Sequence, residues 1–128
     1  MSNIKLKAFH LKNKTIYPVR KIEFNNPLNI YTLAKKDKTD LVVDDTETTI
    51  LQFTNYSDNN NIEIYEGDIF QWAKDSYGIV SIVKGQWVFS NNNGYFSVNG
   101  YCKDGVVVGN FYTDIDLLNH QDLVNITF

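Results

Sequence analysis

Apolar and polar positions alternate in short runs between turn clusters, and they almost never recur at helical spacing. That pattern predicts an all-β chain. Ile4, Leu6 and Ala8 alternate with Lys5 and Lys7, a half-buried first strand that turns at Lys12-Asn13-Lys14. A second strand covers residues 16–24, and Pro18 inside it favours an edge or a bulge. After a turn at Asn25-Asn26-Pro27, residues 28–33 form the next strand. A polar loop over 35–40 leads to Leu41-Val42-Val43.

Polar residues 44–47 break the chain again, and residues 48–54 return to β-rich composition. Residues 55–61 read as a long turn of Asn, Ser and Asp, whose short polar side chains bond the local backbone. Glu66-Gly67 should bend the chain, because glycine accepts a positive φ that glutamate resists. Residues 69–73 then form a strand with Phe70 and Trp72 on one face and Ile69 and Gln71 on the other. The near-continuous apolar run over 78–83 reads as a central strand. Lys84-Gly85, Asn93-Gly94 and Asn99-Gly100 are turn signals, the last two of hairpin type. Residues 105–112 read as a buried strand. Thr113 is placed to cap a short helix over 114–122, and residues 123–128 to close the sheet.

These elements predict a small SH3-like or partly open barrel over residues 48–128, since closure removes exposed edges. A β-hairpin or meander region over residues 1–47 precedes it, with at most one short helix near the C-terminus. One continuous domain is the alternative reading. The 128 residues suit either arrangement, and 14% aromatic content favours a packed core over disorder.

Charge divides the chain. Residues 1–38 hold nine cations against two carboxylates, a balance of +7; residues 39–128 hold three against thirteen, a balance of −10. Such a split fits docking between oppositely charged surfaces, within the chain or between copies. It also fits an anion-binding face on the basic part, although the net charge of −3 opposes long-range attraction to phosphate. Cys102 is the only cysteine, so no intrachain disulfide forms and nothing argues for an oxidising compartment. Neither a signal peptide nor a membrane span is evident, so the cytoplasm of the host cell is the expected location.

Candidate chemistry is sparse. Glu63, Glu66 and Asp68 lie within six positions and suggest acid–base work or a hard-metal site. Neither a further ligand nor a companion base accompanies them, so Asp68 is expected to bond turn amides instead. His10, His120 and Cys102 show no spacing of a metal or nucleophile site. Phosphate-loop and paired-cysteine motifs are absent, and no cofactor is expected. Trp72, Trp87 and the neighbouring rings would stack on bases, or more simply pack a core or a subunit interface.

Three blocks of residues resemble the YopX family of phage and prophage proteins. The most specific runs from Leu51-Gln52-Phe53-Thr54 through Asp58 to Glu63-Ile64-Tyr65-Glu66-Gly67-Asp68-Ile69. Ile4 to Phe9 with Ile16-Tyr17 resembles the N-terminal block of that family. Val108-Gly109-Asn110-Phe111-Tyr112 with Asp116-Leu117-Leu118 resembles the C-terminal block. Asn55 and Asn61 stand where the family usually has glycine, and asparagine is the next best residue for a left-handed backbone. His10 stands at a usually acidic position. The resemblance implies a mainly β protein encoded by a phage or prophage of low-GC Gram-positive bacteria, with no established activity. Tyr65, Glu66, Gly67, Asp68 and Ile69 are its structural signature, and no catalytic residue carries over.

The expected role is therefore a non-enzymatic accessory module that works by protein contact or self-assembly. Its expected partner is another copy of the chain, or a phage or host protein, and not a membrane. The second reading is a nucleic-acid-binding barrel. In it the basic first 38 residues, Lys5, Lys7, Lys12 and Lys14 among them, would grip phosphate, and exposed Tyr or Trp side chains such as Trp72 and Trp87 would stack on bases. A single contiguous lysine face would favour it.

Overall fold

The structure, a computed structural model, describes residues 5–74 and 76–114. Strands dominate those residues, and the all-β expectation holds. The chain forms two compact units, Met1–Gln52 and Phe53–Phe128.

In the first unit, β1 (Leu6–His10), β2 (Thr15–Glu23), β3 (Ile30–Ala34) and β4 (Asp40–Asp44) form an antiparallel meander. The early part of β5 (Thr48–Ser57) pairs with β1 from the other side, Ala8 opposite Ile50. The strand order within this unit is thus β4-β3-β2-β1-β5, and the later part of β5 continues it with a sixth strand in the second unit. Pro18 lies opposite Lys7 on β1, while pairing with β3 begins only at Val19 and shifts register before Lys21. The proline therefore sits where its missing N–H breaks no ladder to β3.

The first sheet curls. Its outermost strands, β4 and β5, are joined by only three residues, Asp45 to Glu47. In a flat sheet four strand spacings would separate them by about 19 Å. The connection reaches at most roughly 14 Å. The sheet must bend so that its two edges approach, and one face becomes an interior. Register places Ala8, Val19, Tyr31, Leu33, Val43 and Ile50 on that single face. They form one cluster, with Ala8 and Leu33 fully buried. A partly open barrel-like curl was expected in the later part of the chain; it occurs here.

The second unit begins on the later part of β5, which pairs with β6 (Glu63–Tyr65), Phe53 opposite Tyr65. Next come β7 (Asp68–Ala73), β8 (Ser76–Val83), β9 (Gln86–Asn91) and β10 (Gly94–Ser97). A helical turn, α1 (Val98–Tyr101), and a 3-10 turn at Cys102–Asp104 lead to β11 (Val106–Asn110) and a last turn, α2 (Phe111–Asp114). The sheet runs β10-β9-β8-β7-β11, with β8 central as expected. No closed barrel forms among the described residues: β10 and β11 remain at opposite ends of the order. Asn99-Gly100 is not a hairpin. Ser97 accepts a hydrogen bond from the Gly100 amide at 3.3 Å and caps α1 instead. The helix expected over 114–122 and the strand over 123–128 fall outside the described residues, apart from Asp114 at the end of α2.

One face of this second sheet carries Phe70, Val80 and Phe89, which pack with Ile64, Val98 and Cys102. Phe70 and Phe89 stack with centroids 4.1 Å apart. The other face carries the smaller cluster of Ile69 and Ile79. The strand over 69–73 therefore divides its side chains between faces as its alternation predicts.

Candidate functional site

The signature string folds as the turn between β6 and β7, and its polar groups bind backbone. Gly67 has φ +84°, and a Cβ there would meet the Tyr112 ring at 3.1 Å and the Asn110 amide at 3.2 Å. Both the conformation and the close approach require glycine. Its N–H donates to the Val80 carbonyl at 2.8 Å, and its carbonyl accepts from the Phe111 amide at 2.7 Å. The buried Asp68 carboxylate accepts from the Tyr65 amide at 2.7 Å and from the Asn110 side-chain amide at 3.0 Å. Asn110 also reaches the Glu66 carbonyl, and its oxygen accepts from the Tyr112 amide. Asp68 is thus tied to the Tyr65 amide of the turn, the kind of bond anticipated, and to the distant Asn110 side chain, and Ile69 is fully buried beside it in sequence.

The Tyr65 ring is buried with its hydroxyl 3.4 Å from a Glu63 oxygen. Burial pushes its phenol up to about 12, with the Glu63 charge and hydrogen bond adding to the shift. Burial likewise raises the Tyr112 phenol, helped by the charge of Glu66. Both phenols stay protonated at neutral pH, so neither is prepared as a base.

A second polar knot escaped notice in the sequence. Asp58 is fully buried. One of its carboxylate oxygens accepts from the amides of Asn60 at 2.8 Å and Ile62 at 2.9 Å. The other accepts from the Val107 amide on the outer edge of β11 at 2.8 Å. Lys103 donates to the Asp58 carbonyl at 2.9 Å, and the Asn59 amide donates to the Gly105 carbonyl. Two asparagines support this loop with left-handed backbone, Asn55 at φ 71° and Asn61 at φ 62°. Its local bonds are those expected of short polar side chains in the 55–61 turn; only the fold reveals that it also caps a distant strand.

Trp72 on β7 and Trp87 on β9 are half-buried and pack against the aromatic core. Trp87 also lines a groove of about 300 Å³ with Tyr56, Gln86 and Asn99. Of the other candidates, His10 is buried in the first unit and Cys102 in the second, while His120 is outside the described residues. Among the described residues, no three of His, Cys, Asp and Glu gather in a way that would hold a metal ion.

The basic candidates do not share one position. Lys5 precedes β1 and Lys7 lies within it, whereas Lys12 and Lys14 occupy the β1–β2 turn. Lys35, Lys36 and Lys38, also within the basic first 38 residues, occupy the β3–β4 turn. A groove of about 390 Å³ lies between the start of β2 and the end of β3, lined by Tyr17, Pro18, Ala34, Lys35, Lys36 and Asp37 among others. The run Lys35-Lys36-Asp37-Lys38 was the available signal. What sequence alone hides is that the end of β3 and the start of β2 line one groove, with Lys35 and Lys36 on it.

Comparison with known proteins places this geometry in a lineage. A family model described as YopX protein matches residues 5–119. A crystal structure of protein EF1440 from Enterococcus faecalis is similar in fold, with a TM-score of 0.62 at 21% identity. That similarity covers 92% of this chain and 100% of the other. No curated protein matches the sequence.

Proposed function

The chain belongs to the YopX family, and from that premise we propose that it is a phage or prophage accessory protein that acts by contact and self-association rather than by catalysis. The observation that carries this reading is the use made of the buried carboxylates. Asp58 and Asp68, the acidic groups most enclosed among the described residues of the second unit, are bonded to backbone and amide donors that hold loops in place. A carboxylate engaged in this way is not available to take a proton from a substrate. Meanwhile large apolar side chains stand in solvent: Phe24 is 81% exposed and Val42, on the edge strand β4, is 62% exposed. Such groups suit contact surfaces. The reading places the protein in the cytoplasm of a bacterial host.

Multi-angle light scattering on the purified protein tests it, at about 50 mM and about 500 mM salt so that charge-driven and apolar association separate. A defined oligomer is expected at one or both. A strict monomer under both conditions would sink the self-association.

A further inference from the structure

We propose that the outer edge of β4 is the surface through which two copies of this chain associate, strand against antiparallel strand across a two-fold axis. This rests on the self-association proposed above and names the surface that carries it.

The backbone of the edge is the first observation. Among the described residues β4 pairs with β3 alone, and no ladder joins it to β5. The Asp44 amide donates to a Glu47 carboxylate oxygen at 3.0 Å, and its carbonyl accepts from the Glu47 amide at 3.1 Å. Both groups of Asp44 therefore turn away from β3. At the opposite end the Thr39 carbonyl accepts from the Lys35 amide at 3.1 Å, so Thr39 turns inward. These directions alternate along an antiparallel strand. The two ends agree: Asp40 and Val42 also present their amides and carbonyls outward. Those of Val42 lie at the centre of the edge, where a further strand would add.

The side chains are the second. Val42 is β-branched and 62% exposed. Leu41-Val42-Val43 holds no lysine and no proline, and its register to β3 runs without a bulge. Those are devices that blunt an edge against strand addition.

Charge is the third, and it selects the occupant. The turn before β4 holds Lys35, Lys36 and Lys38 against Asp37, a balance of +2. Asp44, Asp45 and Glu47 at the other end meet no cation in the link, a balance of −3. Lys36 and Lys38 are exposed and form no ion pair among the described residues, while Lys35 is 3.9 Å from Asp37, a loose pair. A second copy laid antiparallel sets the basic end of each strand beside the acidic end of the other, and the two-fold axis repeats the match. Parallel addition would set like charge on like. A foreign basic strand would answer only the acidic end. Charge also chooses the register. An axis at Val42 would place Asp40 opposite Asp44 of the other copy, a like-charge pair on each side. An axis at Leu41 keeps the outward groups aligned, places Asp40 opposite Val42 and brings Lys38 toward Asp44. Asp40 already pairs with Arg20 at 3.2 Å, so its charge is answered within the copy.

Sedimentation velocity over a concentration series tests the proposal with the intact protein. The natural chain should form a dimer at about 50 mM salt that weakens several-fold or more at about 500 mM, because charge aligns it. Val42→Pro removes an amide that no strand of the same copy uses, so the variant should fold and be monomeric. Val42→Thr keeps the backbone and a β-branched side chain and should dimerise nearly as well as the natural chain. The double variant Lys36→Glu, Lys38→Asn, with its backbone edge intact, should dimerise about tenfold more weakly. A natural chain that stays monomeric removes the self-association and this surface with it. An oligomer that both a folded Val42→Pro and the double lysine variant leave intact overturns the surface alone, with self-association standing. A monomer that binds oligolysine, and loses it with Val42→Pro, would make the occupant a foreign basic strand and the proposal wrong.

Discussion

At the scale of single residues, the buried acids do structural work that depends on their charge. Asp58 accepts three amide hydrogen bonds with its two oxygens. Asp58→Asn keeps the shape but replaces one acceptor with a donor facing an N–H. Leaving a buried donor unsatisfied and losing charge-assisted bonds should cost about 2–4 kcal/mol, read from the urea midpoint. A loss under about 0.5 kcal/mol would mean the loop is not held this way. Tyr65 gives a pH signature. Its phenol titrates near 12 in the fold against an ordinary value of 10.0. Between those values the folded state holds a proton that the unfolded chain releases. Stability from this group is therefore complete below about pH 10 and declines as pH rises toward about 12. Tyr65→Phe should remove the highest step in tyrosinate absorbance and flatten that alkaline decline. An unchanged titration would refute the assignment. The string around Gly67 was readable at this scale, because glycine and aspartate at a bend have few other uses. Asp58 was not, since its most distant partner, Val107, lies 49 positions away.

At the scale of elements, alternation located the strands well and turn chemistry less well. Lys84 and Gly85 have φ 51° and 79°, the two-residue geometry that reverses β8 into β9. Lysine at its first position is a local mismatch, so Lys84→Asn should stabilise the protein by up to about 1 kcal/mol in thermal or urea unfolding. A destabilised variant would show that the lysine side chain contributes more than its backbone loses. Asn99-Gly100 misled because the dipeptide fits a hairpin equally well; the Ser97 hydroxyl decides for a helical turn. Helix caps and hairpin turns draw on the same short list of residues, and the choice rests on what packs afterwards, here Val98 and Cys102.

At the scale of the whole molecule, charge was the feature most altered by folding. Divided at residue 38, the chain showed +7 against −10; divided by its folded units, residues 1–52 hold nine cations and six carboxylates, a balance of +3, and residues 53–128 hold three and nine, a balance of −6. Asp40 belongs with the basic strands and pairs with Arg20 at 3.2 Å. What persists is a weaker division of charge between the units, and linear sequence could not show where it falls. The curl of the first sheet was equally hidden, because it follows from a three-residue link between β4 and β5, which stand four places apart in the hydrogen-bonded order. The carboxylate of Asp58, finally, governs more than the solidity of one loop. By occupying the Val107 amide it closes the outer side of a strand that contains Val106-Val107-Val108. Consecutive β-branched residues on an open edge template the addition of foreign strands, and growth from such an edge leads to fibrils. Among the described residues, one carboxylate thus covers the edge position on β11 at which a foreign strand would add.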